Sequence, residues 1–403
     1  MSSATYNTLL RLPGAAAFFV TAAAGRIGIA MTSLGIVWLV HARTGSYAAA
    51  GLVTGAFAIA EAVAGPQLAR LADRFGQSRV LRPALLAHAA AVAALLALVA
   101  AGTPDWAMAA GGVLAGATIP QLGALSAARW AALLRDGRAA SLPTAFALES
   151  LANELAYLVG PVLVSLIGAS GYPAAGTVLA ATLVVAGGLC FAGQRRTAPP
   201  PASEAAARHG AGRSLLRPGF AVLAGVNLAI GCFFGAMSIS VTAFAVEHGV
   251  AASAAVLYTV SSCASLLAGW LYGLRRWRMA PRKQLPVVAA WLAAGCLPLL
   301  VAGSPLELGP ALVLTAVAVP PVVVLCSLLT ESAVHPGVLT QAFAWLNSAS
   351  AAGSAGAAAV TGWAVNTAGT QGGFAVAATA AVAMALLATA GLRPLREPYQ
   401  REP

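Results

Sequence analysis

Read for its apolar and polar positions, the chain resolves into twelve long apolar runs. They lie near residues 14–40, 46–69, 80–101, 105–128, 144–168, 171–193, 217–245, 251–274, 285–303, 308–330, 340–364 and 371–392, parted by short polar or Gly/Pro-marked breaks. A helix needs about 20 apolar residues to cross a bilayer, so each run is read as one spanning helix. The first follows Arg11 in the manner of a signal peptide, but it is longer than the roughly 7–15 apolar residues of a signal sequence and is kept as a span. The expected fold is an all-α membrane protein of twelve transmembrane helices.

The longest interruption, 194–216, is rich in proline, alanine and charge, and it divides the runs six and six. That predicts an N-terminal six-helix bundle over 1–193, a linker over 194–216, a C-terminal six-helix bundle over 217–392 and a tail over 393–403. Internal repetition supports the division. The fifth run opens with Ala145-Phe146-Ala147 and the eleventh with Ala342-Phe343-Ala344, and the basic loop after the second run recurs after the eighth as Arg275, Arg276, Arg278, Arg282 and Lys283. Matches at the same ordinal helix predict duplicated bundles with pseudo-twofold symmetry.

Composition removes most other classes. Hydrophobic residues make up 59% of the 403 and charged residues 9%, whereas a soluble domain is about one-quarter charged. The net charge of +11 is topological and predicts no nucleic-acid partner. All but two of the 23 Lys and Arg fall before odd-numbered runs or in the tail; the exceptions are Arg26, within the first run, and Arg43. Basic residues stay on the cytoplasmic side of short loops, so a cell inner membrane location with both termini and the linker cytoplasmic is expected. The five cysteines lie in apolar runs without C-x-x-C spacing, and the five histidines are scattered, so no metal site or disulfide set is expected.

The loop after the second run reads Gly65 to Leu81, GPQLARLADRFGQSRVL. It resembles the major facilitator superfamily, whose signature here is approximately G-x-L-A-D-R-x-G-R-K-x-x-L. Leu71, Ala72, Asp73, Arg74, Gly76 and Leu81 match; Ala69 replaces the first glycine, and Gln77 and Ser78 replace the basic pair. The resemblance implies a cytoplasmic latch of the outward-open state formed by Asp73, Arg74 and Gly76. An acidic group at this place can meet helix N-terminal amides, and an arginine can meet carboxylates or phosphates. Gly160-Pro161 in the fifth run resembles the antiporter signature of family exporters and implies a bend there, although Val162 to Ser165 supply none of the further glycines. A purely structural proline kink is the other reading.

Four charged residues lie well within runs: Arg26, Glu61, Glu149 and Glu154. Each costs about 2.5–3.5 kcal/mol on insertion scales and by default faces a cavity or a partner. Arg26 and Glu154 share a depth near the midplane, and in the family the first and fifth helices are neighbours, so an Arg26–Glu154 pair is expected, with Glu154 as principal proton carrier and Glu149 and Glu61 auxiliary. A static pair locking two helices is the alternative. Asn153 and Tyr157 in the first half, with Asn227, Phe234, Trp345 and Asn347 in the second, are the expected cavity residues. The function expected is secondary active transport, as proton-coupled efflux of a small organic compound such as a drug or secondary metabolite. Alternatives are an importer or exchanger of a polar metabolite on the same fold and, behind these, a membrane-embedded enzyme, for which no His, Asp or Asn cluster appears. No cofactor is expected beyond the proton gradient; the partners are a small-molecule substrate, protons and the bilayer, and the family is usually monomeric. A nucleotide-driven pump would need a G-x-x-x-x-G-K-[ST] loop, which is absent.

Overall fold

The computed structural model describes residues 5–202, 211–248 and 251–396, with side chains from 256 rather than 251 and up to 395. The middle of the linker and the end of the tail lie outside these residues. Among the described residues every regular element is helical. After a short helix at Tyr6–Leu10 come α1 (Ala15–Thr44), α2 (Tyr47–Phe75), α3 (Gln77–Ala100), α4 in two pieces (Asp105–Thr118 and Leu122–Leu134), α5 (Leu142–Ala169) and α6 (Pro173–Gly193). Then follow α7 (Pro218–Glu247), α8 (Ala251–Leu274), α9 (Pro281–Gly295) and α10, again in two pieces (Pro305–Ala316 and Val319–Ala333). The stretch Leu339–Ala390 is two helices, broken where Ala368 (φ −131°) and Gly369 (φ 68°) leave helical geometry; we call them α11 (339–367) and α12 (370–390). The positive φ at Gly369 is a conformation that glycine adopts without steric cost.

Eleven stretches are long and apolar enough to cross a membrane, and the last, Pro336–Ala390, is 55 residues long. Split at Ala368 and Gly369, it makes the twelve spans expected from the apolar runs, and the protein is a multi-pass membrane protein. Two boundaries move. The fourth run ends at residue 128, but α4 continues to Leu134, so Arg129 lies inside the helix. The loop after the second run shrinks to one residue, because Arg70, Asp73 and Arg74 extend α2 beyond its apolar stretch. At Gly76 (φ 95°) the chain leaves α2 and enters α3 directly.

The chain divides into two compact units. One holds the described residues of Met1–Ala139, Ala152–His209 and Gly337–Ala344, and the other those of Ala140–Leu151, Gly210–Pro336 and Trp345–Pro403. α5 therefore starts in the second unit and continues in the first, and α11 does the reverse. Each unit is packed through small residues, as expected where lipid removes the hydrophobic drive between helices and close van der Waals contact must replace it. In the first unit a Cβ at Gly28 would meet the Ala180 carbonyl on α6, and one at Gly116 would overlap the Phe57 carbonyl on α2. In the second, Cβ atoms at Gly231 and Gly235 of α7 would overlap the carbonyls of Ser350 and Ser354 on α11. Large side chains such as Leu86, Trp106, Val301 and Leu306 are exposed instead, which suits a surface facing lipid.

Candidate functional site

The first unit gathers its polar side chains at the break in α4. Pro120 has no amide to donate, and Ile119 before it is extended (φ −66°, ψ 126°), as a residue preceding proline is pushed to be. The helical ladder resumes only where the Leu125 amide donates to the Gln121 carbonyl at 3.0 Å. The Ala115 carbonyl freed by the break is met by Nδ1 of His88 at 3.2 Å and by the Thr118 hydroxyl at 3.1 Å. His88, on α3, is wholly buried. Facing a carbonyl, its Nδ1 must carry the hydrogen, which leaves Nε2 as the acceptor nitrogen.

Released from the ladder, Gln121 turns toward α2. Its Nε2 donates a long 3.5 Å hydrogen bond to Glu61 Oε1, and its side chain lies over Gly65, 3.0 Å from where a Cβ would stand. Tyr157 on α5 is within electrostatic reach of Glu61. Two residues along α4 the missing side chain of Gly123 leaves room for the guanidinium of Arg26 on α1, whose Nε is 3.6 Å from the vacant Cβ position. Arg26 is buried. The break thus brings a carboxylate from α2 and a guanidinium from α1 against the same short stretch of α4.

The other expected residues are spread more widely. Glu154 is half-buried on α5 in the first unit, while Glu149 is buried and belongs with 140–151 to the second. Asn153 and Tyr157 are exposed from their unit's core. In the second unit Phe234, Trp345 and Asn347 are exposed, and Asn227 turns back to donate to the Leu223 carbonyl at 2.8 Å. α5 runs unbroken through Gly160-Pro161, and Gly160 packs on α1, its Cβ position 3.0 Å from Ala30 Cβ.

A second polar group lies at the end of the first unit that carries the basic loop. Asp73, in the last turn of α2, accepts the backbone amide of Gln341 at 2.9 Å. Gln341 lies in the first turn of α11, in the stretch belonging to the same unit. Arg74 is exposed, with its guanidinium 5.1 Å from the Phe75 ring centroid. Nearby, Arg129 is completely buried. Its Nε donates to Gln77 Oε1 at 2.8 Å, its Nη1 donates to the Gln194 carbonyl at 3.0 Å and the Thr197 hydroxyl at 3.2 Å, and its guanidinium sits 3.6 Å over the Phe191 ring centroid. Gln77 in turn donates to the Leu125 carbonyl at 3.2 Å. This explains a departure from the family signature: a basic residue at 77 would repel Arg129, whereas the glutamine oxygen accepts from it.

The family model described as Major Facilitator Superfamily matches residues 16–355. The chain belongs to the Major Facilitator Superfamily. No match is found among curated protein sequences. Among solved structures, a bacterial homologue of the iron transporter ferroportin in its outward-facing state superposes with a TM-score of 0.74 at 13% identity, over 93% of this chain and 98% of that one. The human organic anion transporter MFSD10 (TETRAN) gives 0.69 at 15%, and the E. coli fucose:proton symporter FucP 0.68 at 17%, with the same coverage of both chains. At these identities the likeness is one of fold. Membership of this superfamily indicates a transporter.

Sequence reasoning missed Gln121, His88, Gln77 and Arg129. Pro120 in the middle of an apolar run was the available signal for the first two. For Arg129 the signal was that five hydrophobic residues, Trp130 to Leu134, follow it.

Proposed function

We propose that this transporter is a proton-coupled secondary exporter of a small organic compound, a drug or secondary metabolite, working by alternating access in the cell inner membrane. Its basic loops, linker and both termini would face the cytoplasm, on the partition of Lys and Arg. The observation that carries proton coupling is the setting of Glu61. Its partners at the α4 break, Gln121 and Tyr157, are both neutral, so it can take up and release a proton without breaking an ion pair with them. Glu61 therefore takes the leading place that had been expected of Glu154. Arg26 would set the field of the site, with Glu154 and Glu149 as further relay groups, and Asn153, Tyr157, Asn227, Phe234, Trp345 and Asn347 would meet the substrate.

Asp73, with Arg74 and the turn at Gly76, would act as a latch. A carboxylate aimed at a helix N-terminal amide is a charge-assisted contact favoured by the helix dipole. It would be made in one state of the cycle and released in the other. A Gly160-Pro161 bend would fit export, and a monomer is the expected working form. The second reading, import or exchange of a polar metabolite, is favoured by FucP and by the proton:xylose symporter XylE among the structural neighbours.

Transport in proteoliposomes under an imposed pH gradient, screened over antibiotics, sugars and organic acids, tests these readings. Glu61→Gln should lower gradient-driven accumulation by about tenfold or more while sparing downhill exchange. Loss in Glu154→Gln with retention in Glu61→Gln would return the role to Glu154. Retention in both would end proton coupling through these carboxylates, and substrate movement in the same direction as the proton would end export.

A further inference from the structure

We infer that the second unit carries a binding site for the headgroup phosphate of an anionic phospholipid, in the cavity where α9 begins beside the end of α12. The cavity measures about 250 Å³ and is lined by Arg282, Lys283, Pro286 and Leu392. That is slightly below the ~300 Å³ lower bound of small-molecule pockets, a size suited to one headgroup.

The lining is two-faced. Arg282 and Lys283 supply positive charge, and neither makes an ion pair or side-chain hydrogen bond with another described residue. Pro286 and Leu392 supply an apolar wall. The placement of the two cations is itself unusual. They stand in the first turn of α9, whose N-cap residue Ala280 offers no side-chain cap. Cations at the positive end of a helix dipole are unfavourable. An anion in the cavity would offset this by meeting both side chains together.

The apolar wall selects the source of that anion. A free phosphate keeps its hydration and has no use for Pro286 and Leu392, whereas the glycerol and first methylenes of a lipid would cover them. Basic pockets between membrane helices take anionic headgroups in this way, and the arginine fork can hold a phosphate by two parallel bonds. The remaining cations of the same loop are arranged differently. Arg275 and Arg278 are exposed and do not line the cavity, and Arg275 lies 4.6 Å from the Trp277 ring centroid. They provide a control of equal charge.

The test is native mass spectrometry of the purified full chain after exchange into mixtures of phosphatidylglycerol and phosphatidylcholine. The wild type should retain phosphatidylglycerol preferentially. Arg282→Gln with Lys283→Gln should lower that preference by about tenfold, and Arg275→Gln with Arg278→Gln should leave it within about twofold. Exchanging the two cations, Arg282→Lys with Lys283→Arg, should preserve the preference, which separates loss of the site from misfolding. Equal loss in both neutralised pairs would reduce the effect to diffuse charge and overturn the site. Displacement of the lipid by millimolar inorganic phosphate would overturn the lipid as its source.

Discussion

The first turn of α11 and the first turn of α5 stand at matching places in the internal repeat, and a hydrogen bond of a different kind reaches each. At α11 the Gln341 amide donates to the carboxylate of Asp73 at 2.9 Å. At α5 the Thr144 hydroxyl donates to the backbone carbonyl of Gly273, at the end of α8, at 2.8 Å. The first bond has a charged acceptor on a side chain and the second a neutral acceptor on the main chain. A second pair repeats the contrast. Gln77, at the start of α3, accepts from the guanidinium of Arg129, while Gln284, near the start of α9, accepts from the hydroxyl of Tyr272 at 2.8 Å. The duplicated architecture keeps the place of the glutamine and of the α5 and α11 starts, while the donor to the glutamine comes from α4 in the first copy and from α8 in the second. Of these bonds only those in the first copy involve a charged group. Among the described residues, Glu149 is the one buried charge in the second unit, against Arg26 and Arg129 in the first. A contact that depends on charge responds to protonation and to changes in its surroundings, and a neutral one serves as a fixed pivot.

The comparison is broken most strongly at Arg129. Arg129→Met removes the donor for Gln77, the Gln194 carbonyl and Thr197 and leaves two buried acceptors and one part-buried acceptor unmet. Each unmet group costs about 1–3 kcal/mol, set against relief of a buried charge, so a net loss of about 2–4 kcal/mol is expected. Tyr272→Phe leaves one buried acceptor, Gln284 Oε1, unmet and should cost less, about 1–2 kcal/mol. Thermal unfolding of the two variants in the same detergent decides between these magnitudes. Equal losses would mean that the charge at Arg129 contributes nothing beyond its hydrogen bonds. Arg129→Lys should recover less than half of the loss, because an ammonium lacks both the planar fork and the face that stacks on Phe191.

At Asp73 the expected effect is smaller in stability and larger in mechanism. Asp73→Asn keeps an oxygen facing the Gln341 amide and removes the charge. A hydrogen bond to a charged group contributes about 1.5–3 kcal/mol and a neutral one about 0.5–1.5, so the variant should lose about 1–1.5 kcal/mol. If the bond is a latch, labelling of a cysteine introduced near the start of α11 should rise as transport falls. Unchanged labelling with unchanged transport would leave Asp73 as part of a solvated turn.

What could be read from the sequence follows the same division between charge and neutrality. Asp73 was legible because an acidic residue in a basic loop, followed by glycine, forms a pattern that the family shares. Glu61 and Arg26 were legible because charge within an apolar run is expensive. The interruption at Ala368 and Gly369 was visible as a gap between the eleventh and twelfth runs. Gln121 was not, because a neutral amide costs little in a helix and gains its meaning only from the break that Pro120 makes. Arg129 was hidden for the opposite reason. Taken as the polar end of its run, it lies inside a helix that continues for five more residues, with glutamine, threonine and an aromatic ring around it in place of a carboxylate.

The smallest expected effect belongs to Thr144. Thr144→Val is nearly isosteric and removes only the hydroxyl that reaches the Gly273 carbonyl. One neutral hydrogen bond contributes about 0.5–1.5 kcal/mol, and the Gly273 carbonyl left behind is buried. A loss of about 1 kcal/mol is therefore expected, with transport within about twofold of wild type and no change in labelling at the start of α5. The informative variant is the double one. If the two contacts act independently, Asp73→Asn combined with Thr144→Val should show the sum of the single losses to within about 0.5 kcal/mol. A larger departure would mean that the fixed contact and the charged one are coupled, and that the pivot at α5 moves whenever the start of α11 is released.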